Sequence, residues 1–172
     1  IGGPRFYERK EIRDAIAYFR ATISSDDGMA FERIINTPKR GFGEKSLQLM
    51  NMVAREHSIS LMAAARIAVD EGLLPTKVSG DLNILLNNFK RWNSDFLDNA
   101  KDHTKVAETI LDESGYTEMW LLEKSADAPG RLENLKELIK ALGEFENIQG
   151  FLEHISLIME MESDSNIPKV SI

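Results

Sequence analysis

The 172-residue sequence has no cysteine, which excludes a disulfide framework and a thiolate nucleophile and suits a reducing compartment. It also lacks any run approaching the roughly 20 apolar residues that a membrane-crossing helix needs. The N-terminus carries no basic segment followed by an apolar one, so a secretory leader is not expected. No membrane partner is expected either, and the cytoplasm is the expected location. Strand-like alternation is missing except at the termini, and no repeat of fixed period is present. A net positive charge is missing as well: the balance is −7, which argues against a broad basic surface that coats nucleic acid.

What is present is enough for one real core, since 42% of the residues are apolar. Charge is unevenly spread. Residues 1–66 hold eleven basic against eight acidic side chains, whereas residues 67–172 hold ten against twenty. An anion-binding surface therefore belongs in the first third.

Apolar residues recur at helical spacing almost throughout. Ile12, Ala15, Ile16, Phe19 and Ile23 mark an amphipathic helix over 8–23, with its acids near the start and Arg20 near the end. Ser24 to Asp27 break it and offer caps for a short helix over 29–35, which Asn36-Thr37-Pro38 stops. Further helices are expected over 44–56 and 61–69, then a long one over about 79–101 with Leu82, Leu85, Leu86, Phe89, Trp92 and Phe96 inward. Shorter apolar stripes follow around 106–111 and 119–122, then at 131–145 and 151–159, with 126–130 read as a loop. The fold class is all-α, an irregular multi-helix domain containing a helix-hairpin-helix-like element.

That element is the turn Thr37-Pro38-Lys39-Arg40-Gly41-Phe42-Gly43-Glu44. Its glycines allow backbone conformations and close approaches closed to other residues. Phe42 can plug between the flanking helices, while free amides after Gly43 begin a helix and attract anions. Lys39, Arg40 and Lys45 add positive charge where a phosphate backbone would lie. A grip of this kind reads no bases. The bland reading stays open: Gly-x-Gly also makes tight interhelical turns with no ligand at all.

Other constellations carry less. Gly43-Glu44-Lys45-Ser46 is not a nucleotide-binding phosphate loop, because Glu44 separates the glycine from the lysine and position 38 is proline. His57, His103 and His154 are far apart and show no metal-ligand spacing, so no metal site is expected. The acids Asp95/Asp98/Asp102 and Glu133/Glu137 read as solvated helix faces rather than paired catalytic carboxylates. Trp92 and Trp120 fall on apolar stripes and both read first as core, with a docking patch of Trp120, Tyr116 and Met119 as the alternative.

Two stretches carry a family resemblance. Gly2-Gly3-x-Arg5-Phe6-x-Glu8-Arg9-x-Glu11-Ile12-x-Asp14-Ala15-x-Ala17-Tyr18 resembles the entry into the 2B subdomain of superfamily 1 helicases of the UvrD/PcrA/Rep type. Ala30-Phe31-Glu32-Arg33-Ile34-Ile35-Asn36-Thr37-Pro38-x-Arg40-Gly41-Phe42-Gly43 is similar to the same family's approach to its Gly-Ile-Gly hairpin, with Phe42 where an aliphatic residue is usual. Residues 110–116 and 131–138 resemble later stretches of that subdomain.

The resemblance implies a parent that uses ATP and Mg²⁺, bound in motor domains outside this segment, to move 3′ to 5′ and separate DNA in repair or replication restart. It implies that Thr37, Arg40, Gly41, Phe42 and Gly43 touch duplex DNA, with Lys45 added on charge alone. The segment itself is then expected to need no cofactor and to catalyse nothing. Its partners are expected to be the duplex backbone, without sequence preference, the parent's own motor domains, and repair proteins. Residues 1–7 are read as the motor's edge, 8–162 as the accessory domain and 163–172 as a return linker, both ends being cut. The competing reading is a helical protein-interaction domain whose glycine turn is only structural and whose acidic part meets a basic partner.

Overall fold

The computed structural model describes residues 3–165, and within them the chain is helical with no strand. The order is α1 Pro4–Glu8, α2 Lys10–Ile23, α3 Gly28–Ile34, α4 Glu44–His57, α5 Leu61–Asp70, α6 Thr76–Leu97, α7 His103–Glu113, α8 Tyr116–Leu122, α9 Ala128–Leu142 and α10 Ile148–Ser165. The expected return linker lies outside the described residues from 166 onward; from 163 to 165 the backbone still belongs to α10.

Caps fix several boundaries. The Asp27 carboxylate accepts from the Ala30 amide at 3.1 Å and Ser60 Oγ from the Ala63 amide at 3.1 Å, starting α3 and α5. Several boundaries depart from the sequence expectation by three residues or more, and three of them have a visible cause. Pro4 opens α1, which expectation had left outside the helical domain, and Tyr7 on that turn is buried edge-on against Phe151 of α10. Pro129 stands in the first turn of α9, where a missing N–H costs nothing, so 128–130 are helix rather than loop. Finally α6 ends at Leu97, not Lys101. Asp98 accepts from the Ala100 amide at 2.9 Å, and Asp102 caps α7 through the Thr104 amide at 2.9 Å. These two acids end one helix and start the next; they do not line a helix face.

The central element is α2. It packs against α1, α3, α6, α7, α9 and α10, so Ile12, Ala15, Ile16, Ala17, Tyr18, Phe19 and Ala21 are all buried. The amphipathic face expected from its apolar residues is therefore only part of the account, because the helix is enclosed nearly all round. Even Glu11 and Asp14 are buried. Asp14 accepts from Arg33 Nε at 2.8 Å, Lys10 Nζ at 3.1 Å and the Tyr116 hydroxyl at 2.8 Å. Glu11 accepts from Arg131 at 3.3 Å and Asn134 at 2.8 Å, tying α2 to α9. Burial pushes the Tyr116 phenol far above its ordinary value, and the neighbouring Asp14 charge adds to the shift.

Trp92 is fully enclosed, edge-on to Phe89, with its indole N–H on Glu113 at 2.8 Å. Trp120 and Tyr116 are also core, which removes the docking patch suggested for them; the exposed apolar residues of α8 are Leu121 and Leu122.

An acid sensitivity follows. The hydrogen bond from Trp92, ahead of those from Arg91, holds the Glu113 carboxyl below its ordinary range, and Thr104 does the same for Asp102. Both folded values are depressed, so their stabilisation is complete above the ordinary carboxylate range and is lost as pH falls through the folded values. Melting midpoints are expected to decline on acidification below about 4.5, the ordinary Glu value. The decline is shallow because both side chains are well exposed. Asp102→Asn together with Glu113→Gln is expected to flatten it, and an unchanged pH profile in that variant would contradict the assignment.

Candidate nucleic-acid interface

Nine residues join α3 to α4, and their polar groups are largely satisfied from within. Asn36 Oδ1 accepts the Arg40 amide at 2.8 Å and the Phe42 amide at 3.2 Å, folding the loop around one side chain. The Thr37–Pro38 peptide is cis. Gly41 has φ +69°, a conformation that disfavours a side chain, and a Cβ there would lie 3.5 Å from Val78 of α6. Phe42 is buried, so the aromatic ring fits where the resemblance would place an aliphatic plug.

Arg40 does not point outward. Its Nη1 donates to the carbonyls of Ile34 at 2.8 Å and Ile35 at 3.0 Å, which terminate α3. Nη2 donates to the Tyr18 hydroxyl at 2.8 Å and the Ser114 carbonyl at the end of α7 at 3.1 Å. Tyr18 in turn donates to the Thr37 carbonyl. Burial pushes the Tyr18 phenol up, against the pull of the Arg40 charge. All four terminal N–H bonds of the guanidinium are thus used inside the fold. Behind the loop, Gly115 takes φ +83°, and a Cβ there would come within 3.3 Å of Pro38.

The outer side of the turn differs. Lys39, Gly41, Gly43, Glu44 and Lys45 are exposed. Leu47 is the first residue of α4 whose amide bonds back, to the Gly43 carbonyl at 3.1 Å. Among the described residues the amides from Gly43 to Ser46 have no partner, and no side chain caps this helix. Gly43 is extended, at φ −101°, and a Cβ on it would meet nothing within 4 Å. The fold itself has no need for glycine at position 43.

The structure therefore divides the six site residues named from sequence. Gly43 and Lys45 face outward beside free amides, and Gly41 shapes the tip. Phe42, Arg40 and the Thr37 carbonyl hold the loop from inside. Lys39 joins the outward set. The partners of Arg40 were not legible in sequence, since Tyr18 and Ser114 lie 22 and 74 positions away. The helix-hairpin-helix pairing expected from sequence is not established by the packing, since α3 sits mainly on α2 and α5, and α4 on α5. Gly43-Glu44-Lys45-Ser46 enters a helix from an irregular turn and forms no phosphate loop.

Residues 1–172 match the family described as the UvrD-like helicase C-terminal domain. The chain is 43% identical over 162 residues to the DNA helicase II of Rickettsia typhi, covering 94% of this chain and 24% of that protein. It is 34% identical over 171 residues to the ATP-dependent DNA helicase PcrA of Bacillus subtilis, covering 94% and 22%. For the DNA helicase II of Escherichia coli the identity is 32% over 165 residues, covering 91% and 23%. The chain spans about a quarter of the length of the curated relatives it matches.

Proposed function

Because this chain belongs to the UvrD-like helicase C-terminal domain family, we propose that it is the duplex-contacting accessory domain of an ATP-dependent 3′–5′ DNA helicase. The parent would act in the cytoplasm, in repair or replication restart. ATP and Mg²⁺ are assigned to the parent's motor domains, with which this domain would move, and this segment alone would neither hydrolyse ATP nor unwind DNA. The accessory domain is proposed to span 8–162, with the flanking residues leading to the motor.

The observation that carries the reading is the outer face of the turn. Unpartnered amides at the start of a 14-residue helix, two exposed lysines, and a glycine with no intramolecular reason to be one fit the close approach of a phosphate backbone. Lys39 and Lys45 supply charge, Gly43 supplies clearance, and the buried side of the loop keeps them in place. No base is read, so binding is sequence-independent. With so few phosphates gripped, the isolated chain should bind duplex weakly, near the roughly 10⁻⁴–10⁻⁶ M of non-specific contacts, and more weakly as salt rises.

Titrating a labelled hairpin duplex at low salt tests this. Gly43→Val and the pair Lys39→Ala with Lys45→Ala are expected to cut affinity at least several-fold while the melting midpoint stays within about a degree. In the intact parent, Gly43→Val should damage unwinding more than ATP hydrolysis stimulated by single strands. If both variants bind duplex as the original chain does, the turn is merely structural and the protein-interaction reading takes its place.

A further inference from the structure

A second basic feature lies away from the hairpin, on the side formed by α2, α3 and α10. Arg13 and Arg20 are seven residues apart on α2, two turns and roughly 10 Å along one face. Arg33 of α3 faces the same space, a groove of about 300 Å³. Ala17 of α2 and Ala30 of α3 line it with methyl groups only, and this lack of bulk leaves the groove open. Ile155 and Met159 of α10 add apolar wall, and Tyr7 and Asp27 also line it. Met29 stands at the groove 85% exposed, more than any other large apolar residue among those described.

The carboxylates nearby are already engaged. Asp14 holds Arg33 Nε, Lys10 and Tyr116, and Asp27 caps α3. Arg20 spends one nitrogen on Ser156 of α10 at 3.1 Å. Arg13 is exposed and has no partner among the described residues. Arg33 is thus paired with Asp14, while Arg13 and Arg20 have no carboxylate partner among the described residues; against the one lining carboxylate, Asp27, they leave a modest local excess of positive charge in a chain of net charge −7.

We propose that this groove docks an acidic peptide segment of a partner protein, with two or more carboxylates on the arginines and an aliphatic side chain over Ala17 and Ala30. Guanidinium forks match carboxylates in pairs, which favours arginine over lysine for such a role. A peptide is favoured over nucleic acid because the feature is concave and floored by aliphatic side chains, with an exposed methionine at its side. A duplex backbone is convex and offers that floor nothing apolar to bury. The inference does not depend on the hairpin's role.

The probe is a capped hexapeptide of four glutamates around a central Leu-Leu pair, titrated into the ¹⁵N-labelled 172-residue chain at low salt. Amide shifts are expected in α2, α3 and α10, with sub-millimolar affinity that weakens as salt rises. Arg13→Glu combined with Met29→Glu changes two exposed side chains and should reduce affinity at least tenfold without moving the melting midpoint or duplex binding. A control peptide with glycine in place of both leucines should bind several-fold more weakly. Shifts confined to other helices, equal binding by the glycine control, or displacement of the peptide by a short single strand or duplex bound at the same residues would each overturn the proposal.

Discussion

Arg40→Ala is expected to lower the unfolding free energy by about 3 kcal/mol, which for a chain of this size is a fall of roughly 6–12 °C in melting midpoint. Hydrogen bonds from a charged donor contribute more than neutral ones, and here one planar group satisfies three carbonyls and a phenol. Truncation strands those acceptors at the ends of α3 and α7. Full additivity is not expected, because Arg40 is half-buried and water can reach part of the space. Arg40→Lys should recover less than half of the loss, since an ammonium group cannot reproduce a fork that serves two pairs of acceptors. Urea unfolding of the three proteins checks this, and a loss below about 1 kcal/mol for the alanine variant would show that the bonds are not stabilising. Lys45→Ala is the matched control: it should leave stability alone and weaken duplex binding.

Asp14→Ala should cost more, about 3–5 kcal/mol, the range for removing one partner from a buried ionic network. Its carboxylate is the common acceptor for α2, α3 and α8. Without it, Arg33 Nε loses its acceptor, the Tyr116 hydroxyl is left with only the longer bond to the Glu11 carbonyl at 3.3 Å, and Lys10 swings out to solvent. Tyr116→Phe, which removes only a donor, should cost about 1–2 kcal/mol. In the double variant the two losses should fall short of their sum, because the bond they share is lost only once. Strict additivity in a double-mutant cycle would refute the direct coupling of Asp14 to Tyr116.

Much of this was legible in sequence wherever the signal was local. Apolar spacing located α2 to α5, Asp27 and Ser60 were recognisable as caps, and the glycine turn stood out against its basic neighbours. Trp92 was correctly read as core from its stripe. The failures came from context. Nothing in the pattern of 8–23 says that this helix is enclosed on nearly every side, so Glu11 and Asp14 looked like dipole-compensating acids when they are buried acceptors. Asp98 and Asp102 kept helical spacing with Asp95, yet their short side chains capture backbone amides, and that local competition ended α6 four residues early. Arg40 was the sharpest case. Its charge suggested a phosphate ligand, but the direction of a long flexible side chain is set by acceptors distant in sequence. The outward-facing residues of the candidate site stand out in sequence by charge and glycine; the inward direction of the others required the fold.

The contact between Pro38 and the missing side chain of Gly115 has a mechanical corollary. With Arg40 tethering the loop in front and Pro38 seated directly on the α7–α8 turn behind, the hairpin has no slack of its own. A force applied at its tip is passed into two helices of the body instead of bending the loop. Anything that bears on the tip would therefore turn the domain as one piece, and anything that tilts the domain would carry the tip through the same angle.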